Sequence, residues 1–197
     1  SLANWRSQVD SNFLTLIQHS LSLAIAAAVL ALILALILGY GKRLNPSPLA
    51  SFSIRLASMG YAIPGAVIAI GVLIPFAWLD NQINYLSVAL FNTKLGLLFS
   101  GSLFILLFAY NVRFLSVSLQ TVEAGLVKIK PTIDNAGRCL GLSPNGVLWK
   151  LHIPLMQGSL LTAVLLVFVD VLKELPATLI LRPFNFNTLS IRTYELA

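Results

Sequence analysis

Residues 131–154 read Pro-Thr-Ile-Asp-Asn-Ala-Gly-Arg-Cys-Leu-Gly-Leu-Ser-Pro-Asn-Gly-Val-Leu-Trp-Lys-Leu-His-Ile-Pro. This is the longest polar interval between two long apolar runs, and it carries its own helix punctuation. Ile133, Ala136, Gly137 and Leu140 recur at i, i+3, i+4 and i+7, which predicts one narrow apolar stripe on a short helix. Asp134, Asn135 and Arg138 then face elsewhere. Gly141 is placed to end that helix in the left-handed conformation, Ser143 to cap the next one, and Pro144 to occupy its first turn. Val147, Leu148 and Leu151 repeat the stripe on a second helix, which leads through Pro154 into a membrane span. A helix, a tight turn and a second helix at that position make an element shaped to be gripped by something outside the bilayer.

The composition agrees. Hydrophobic residues make up 57% of the chain and charged ones 10%, against roughly 25% charged in soluble domains. With a mean hydropathy of +0.86, this is an integral membrane protein. The chain opens at Ser1 and stops at Ala197 in mid-pattern, which predicts a piece of a longer polypeptide. Its first apolar run is too long for a secretory signal and lacks a small-residue cleavage site. The single Cys139 excludes an internal disulfide and offers no metal-site spacing. The formal charge of +6 reads as loop charge rather than nucleic-acid affinity.

A bilayer core of roughly 30 Å needs about 20 apolar residues per span. Four runs suffice, at about 13–40, 54–79, 95–119 and 153–172. Polar residues 1–12 precede them, with Trp5 a candidate interfacial anchor. Lys42, Arg43, Asn45, Pro46, Ser47 and Pro48 form a basic, helix-breaking loop of cytoplasmic character. The second run holds Gly60, Pro64, Gly65, Gly71 and Pro75. Pro64 removes a backbone donor there, which fits either close helix packing or a broken helix beside a pathway. Asp80, Asn81, Gln82 and Asn84 read as the start of a short external loop, with residues 85–91 as a surface turn. Under this topology Lys42, Arg43, Arg55, Arg113, Lys128, Lys130, Arg138 and Lys150 lie inside. Arg6, Lys94, Lys173, Arg182 and Arg192 lie outside. Four spans put the 131–152 stretch on the same side as the Lys42-Arg43 loop.

Asn135-Ala136-Gly137-Arg138-Cys139-Leu140-Gly141, followed after a fixed gap by Leu151-His152-Ile153-Pro154, resembles the "EAA" loop of ABC importer permeases. The Gly and Pro spacing matches, as does the place before a span. Asn135 stands where that family has Glu, and Gly137 where it has Ala. A second resemblance lies in Lys173-Glu-Leu-Pro-Ala-Thr-Leu-Ile-Leu-Arg-Pro183, with Thr188-Leu189 and Tyr194-Glu195 beyond it. This run, and Tyr61-Ala-Ile-Pro-Gly65, is similar to the C-terminal half of ferric-iron importer permeases. Importers of thiamine, sulfate, polyamines and phosphonates share much of the pattern.

The resemblance implies an all-α helical bundle of the type I importer kind, with 1–197 as one partial transmembrane domain. Residues 131–152 would be its cytoplasmic coupling helix region and 173–197 an external segment. It implies a multi-pass protein of the bacterial inner (plasma) membrane working by alternating access. The implied partners are cytoplasmic ABC ATPase subunits, a periplasmic substrate-binding protein and a second permease half in the same chain or another copy. The coupling residues carried over are Asp134, Asn135, Ala136, Gly137, Gly141, Ile153 and Pro154. The ion pair of the family's Glu to the ATPase is missing unless Asp134, one residue earlier, replaces it, so docking geometry rather than docking chemistry is expected to be retained.

The chemistry of the chain itself is thin. It contains no phosphate-cradling Gly-Lys-Ser/Thr loop, so ATP hydrolysis belongs to a separate subunit, and neither a catalytic constellation nor a cofactor is expected. Pro64, Asp170 and Glu174 are candidates for the translocation path, the two carboxylates as hard oxygen ligands to a passing cation. The plainer reading pairs Asp170 or Glu174 with Lys173 or Arg182 at the interface. His19 and His152 have no second donor at ligand spacing and read as non-ligands, and Cys139 reads as a small packing residue. Arg182 and Arg192 fit either an acidic binding protein or ordinary interfacial charge. A secondary transporter or channel is the alternative class, although it would place ionisable groups near the midplane. A DNA-reading helix-turn-helix fits poorly, because Val147, Leu148 and Leu151 are apolar where base-reading side chains are needed.

Overall fold

The computed structural model describes residues 13–184 and 186–196. Trp5 and Arg6 lie outside the described residues. Among the described residues every regular element is helical. Helix α1 is Phe13–Leu44, α2 is Pro48–Ser58 and α3 is Gly65–Phe91. Then come α4 (Leu103–Val127), α5 (Pro131–Cys139) and α6 (Pro144–Val147). After a π-helical turn at Leu148–His152 follow α7 (Ile153–Leu155), α8 (Gln157–Lys173), α9 (Pro176–Leu181) and α10 (Leu189–Leu196). Helices α1, α3 and α4 are long and apolar enough to cross a bilayer, and a fourth crossing is available if the bent pair Pro144–Leu155 and Gln157–Lys173 counts as one span.

Three expected boundaries move, each for a local reason. The 54–79 run is not one helix. Ser47 caps α2 by accepting from the Ala50 N–H at 3.1 Å, and α2 gives way at Met59 to a short 3-10 turn. Ile63 is then extended, as a residue before proline prefers to be, and Pro64 falls in the break between helices rather than inside one. Helix α3 runs on to Phe91, so residues 80–91 belong to it and not to an external loop. The 95–119 run starts late, because Asn92, Gly96 and Gly101 all take positive φ and hold residues 92–102 out of helix. The chain turns by 78° between the Pro144–Leu155 and Gln157–Lys173 segments, so Ile153 and Pro154 lie before the bend and the last long helix begins at Gln157. Pro154 cannot donate to a carbonyl one turn back. The wide turn before it answers with an Ile153 N–H to Leu148 carbonyl bond, five residues apart.

The chain packs as two compact units. One consists of the described residues within 13–26, 65–109 and 172–196. In it α9 lies along α3, and Phe76 meets Phe99, Phe104 and Phe108 at ring separations of 5.5, 5.8 and 5.2 Å. Asp80, on α3, is fully buried. Its carboxylate accepts from the N–H groups of Leu98, Phe99 and Ser100, while Asn84 exchanges two bonds with Gly96. These bonds satisfy backbone groups of a non-helical segment. The other unit consists of residues 27–64 and 110–171. Its core gathers Ala35, Tyr40, Ile54, Leu119, Val122, Leu126, Ile129, Met156 and Ala163. Helices approach closely where side chains are absent: a Cβ on Gly60 would lie 1.9 Å from the Val112 carbonyl oxygen.

Candidate functional site

The 131–152 stretch folds as its punctuation predicts. Helix α5 starts at Pro131 and ends in a Schellman turn: Leu142 N–H donates to the Gly137 carbonyl at 3.0 Å and Gly141 N–H to the Arg138 carbonyl at 2.9 Å. Gly141 sits at φ +82°, where a Cβ would be strained. Ser143 caps α6 by accepting from the Gly146 N–H, and Pro144 fills the first turn. The Val147 and Leu151 side chains pack onto Gly137, where a Cβ would lie 2.9 Å from Leu151 and 3.2 Å from Val147.

The apolar stripe is narrower than its spacing predicts. Gly137 and Val147 are buried, and Ile133, Leu148 and Leu151 half-buried. Ala136 is exposed and Leu140 is 83% exposed, because the turn at Gly141 carries the chain away just where Leu140 would have been covered. Cys139, expected to pack, is exposed. Asn135, Arg138, Lys150 and Trp149, the last at 68%, are exposed too, so the outward side chains of this element include apolar and basic ones.

Asp134, expected to face outward, turns in. Its Oδ2 accepts from Arg43 Nε at 2.9 Å and its Oδ1 lies 2.5 Å from His152 Nε2, so His152 has a carboxylate beside it that its spacing along the chain did not suggest. Arg43 also donates to the Leu126 and Ile129 carbonyls at 2.5 and 2.7 Å. His152 is fully buried, and the ring of Tyr40 meets it edge-on at 5.3 Å. The Tyr40 hydroxyl donates to the Pro144 carbonyl at 2.7 Å. Lys42 pairs with Glu123 at 2.9 Å. Burial pushes the Asp134 carboxyl up, but the hydrogen bonds from Arg43 and His152 and the Arg43 charge outweigh it and hold the group below the usual carboxylate range. Ile153 is half-buried and Pro154 exposed at the turn that follows.

Pro64 is exposed in the break before α3, and Asp170 is half-buried on α8. Glu174 is buried. Its Oε1 accepts from the Ala177 N–H at 3.3 Å at the start of α9, and its carbonyl accepts from Thr178 Oγ1. Arg182 bonds Asn187 and lies 4.0 Å from Glu195, with which Arg192 pairs at 3.6 Å. Sequence reasoning missed Arg43, which read as loop charge, and Asp80, which read as loop. Arg43 had a weak signal as a basic residue in the last turn of a helix. Asp80 lay in a helical pattern that continues unbroken from Gly65.

No family model matches the chain. Among curated proteins it is 29% identical over 141 residues to the Fe(3+)-transport system permease protein FbpB 2 of Haemophilus influenzae, covering 72% of this chain and 25% of that protein. It is 27% identical over 135 residues to the putative 2-aminoethylphosphonate transport system permease protein PhnV of Salmonella typhimurium, covering 68% of this chain and 45% of that one. The chain is similar to transport-system permeases. This agrees with the importer-permease resemblance carried by Asn135–Gly141 and Leu151–Pro154, and the all-helical architecture suits a permease bundle. The permease-like chain spans a quarter of the length of the first relative and under half of the second.

Proposed function

We propose that this chain is part of the membrane permease of an ATP-driven importer of the bacterial inner membrane, one partial transmembrane domain in which residues 131–152 receive the stroke of a cytoplasmic ATPase. The observation that carries this reading is the Gly141-turned helix pair, packed on the end of α1 and exposing Leu140 and Trp149 beside Arg138 and Lys150. An exposed Leu and Trp on so short an element suit a partner groove, and the cations suit an acidic rim to it. The ATPase, a periplasmic binding protein and a second permease half are the partners in this scheme. ATP closure draws the coupling elements together, the membrane halves rock outward, and hydrolysis resets them.

Ferric iron is the substrate favoured by the likeness to the Haemophilus protein, with a phosphonate the second reading through the Salmonella one. Asn135, Ala136, Gly137, Gly141, Ile153 and Pro154 form or orient the docking element in this reading. Pro64, Asp170 and Glu174 are the residues proposed along the path. The test is reconstitution of the intact polypeptide with its ATPase and binding protein in proteoliposomes, following ATP hydrolysis together with uptake of ferric ion and of 2-aminoethylphosphonate. Partner-dependent hydrolysis with iron uptake supports the whole reading. Phosphonate uptake alone replaces the substrate. Failure of the ATPase to associate removes the function.

A further inference from the structure

We propose that Arg43, Asp134 and His152 form a clamp that fixes the coupling helix α5 to the end of α1, so that Asp134 positions the coupling element instead of contacting the ATPase; the inference rests on the function proposed above. Residues 131–152 hold one carboxylate, Asp134, and it points away from the exposed face. Both of its oxygens are engaged, one by Arg43 and one by His152, and its side chain is only 17% exposed. It is therefore not free to replace the Glu that Asn135 displaces.

Arg43 makes this more than an ion pair. Its three nitrogens reach three separate acceptors: Asp134 on α5, the Leu126 carbonyl in the last turn of α4, and the Ile129 carbonyl in the link between them. The last carbonyls of a helix have no partner within it, and the planar guanidinium supplies donors in fixed directions that an ammonium cannot copy. One turn earlier on α1, Tyr40 bonds the Pro144 carbonyl at the start of α6. His152, in the wide turn after α6, closes the ring through Asp134. Both short helices are thus tied to the last two turns of α1, α5 through Arg43 and α6 through Tyr40, and α5 is tied to α4 as well. A push on Leu140 or Trp149 is then delivered to two spanning helices and not absorbed by the link at 128–130.

The experiment uses the intact permease with its ATPase and binding protein in proteoliposomes, and reads ferric ion, or 2-aminoethylphosphonate where the wild type imports that instead, taken up per ATP hydrolysed, alongside ATPase binding in detergent. In Asp134→Asn and Arg43→Gln, binding should stay within about twofold of wild type while import per ATP falls about fivefold or more, a typical size for a coupling interaction. The double variant should be no worse than either single one, as for two residues acting as a unit. Tyr40→Phe removes a single hydroxyl and keeps the ring, so it serves if the charged variants do not assemble. It should show the same decoupling in smaller measure. An unchanged ratio in the variants overturns the clamp, as does a proportional fall of uptake and hydrolysis. Loss of ATPase binding in Asp134→Asn overturns it too, and makes Asp134 a docking contact. If the wild-type permease itself neither binds nor is driven by the ATPase, the proposed function falls and the clamp with it.

Discussion

Arg43 Nε donates to Asp134 Oδ2 at 2.9 Å across ninety-one positions of sequence, joining the last turn of the first long helix to the short helix α5. Each side chain is about one-sixth exposed, at 16% and 17%, so the pair is neither a solvated surface bridge nor a fully dry one. Removing the Asp134 charge leaves Arg43 facing an amide. Asp134→Asn should therefore cost about 1–2 kcal/mol of stability, between the surface and buried limits for such pairs. Thermal unfolding of the purified permease in detergent measures it.

The same pair gives a pH dependence. The folded-state carboxyl of Asp134 lies below its ordinary value of 3.8, so its contribution is fully present above about pH 4 and is lost as the pH falls through the depressed folded value. The stability gap between wild type and Asp134→Asn should close as the pH falls below about 4. A gap that instead widened on acidification would reverse the assigned sign.

Gly141 holds a left-handed conformation at φ +82° with open space where a Cβ would go. Strain is then the whole penalty. Gly141→Ala should lose about 1 kcal/mol and Gly141→Asn less, since Asn tolerates this region better. Equal losses in the two variants would point to a contact rather than to backbone strain.

Gly60 and Gly71 make a contrast at two helical sites. A Cβ at Gly60 collides with the Val112 carbonyl oxygen, which is backbone and cannot swing away, whereas at Gly71 it meets nothing within 4 Å. Gly60→Ala should reduce stability by about 2–3 kcal/mol or abolish accumulation in the membrane, while Gly71→Ala stays within about 0.5 kcal/mol of wild type. Membrane-fraction yield and detergent melting report both.

Asp80 holds residues 98–100 through three backbone N–H groups. Asp80→Ala strands those donors, each at a cost of roughly 1–3 kcal/mol if water cannot reach it. The 92–102 segment should then be cleaved by added protease about tenfold faster or more. Asp80→Asn keeps an acceptor and should fall between. Cleavage at the wild-type rate in both variants would show that the segment is held by its own packing.

The helical class, the apolar spans and the Gly141–Ser143–Pro144 turn were legible because each depends on residues close together in the chain. Composition set the solvent, and capping chemistry set the turn. The candidate site was legible only in its backbone. Leu140 followed the stripe in spacing and broke it in burial, since periodicity records which residues share a helix face and not where a neighbouring helix stops. Asp80 misled for a related reason: a polar residue at the end of an apolar run looks like a loop until its backbone donors, eighteen to twenty positions later, are known.

By itself the sequence determined a membrane-spanning, all-helical chain with a capped helix pair ahead of its last apolar run, because hydropathy, capping and turn preferences act over a few residues. Only the tertiary structure decided that Asp134 faces inward to Arg43 and His152, that Pro64 lies between helices, and that the chain bends by 78° before its last long helix. Those outcomes turn on pairing charges and backbone groups far apart in sequence, where burial makes an unpaired group costly and so selects one arrangement.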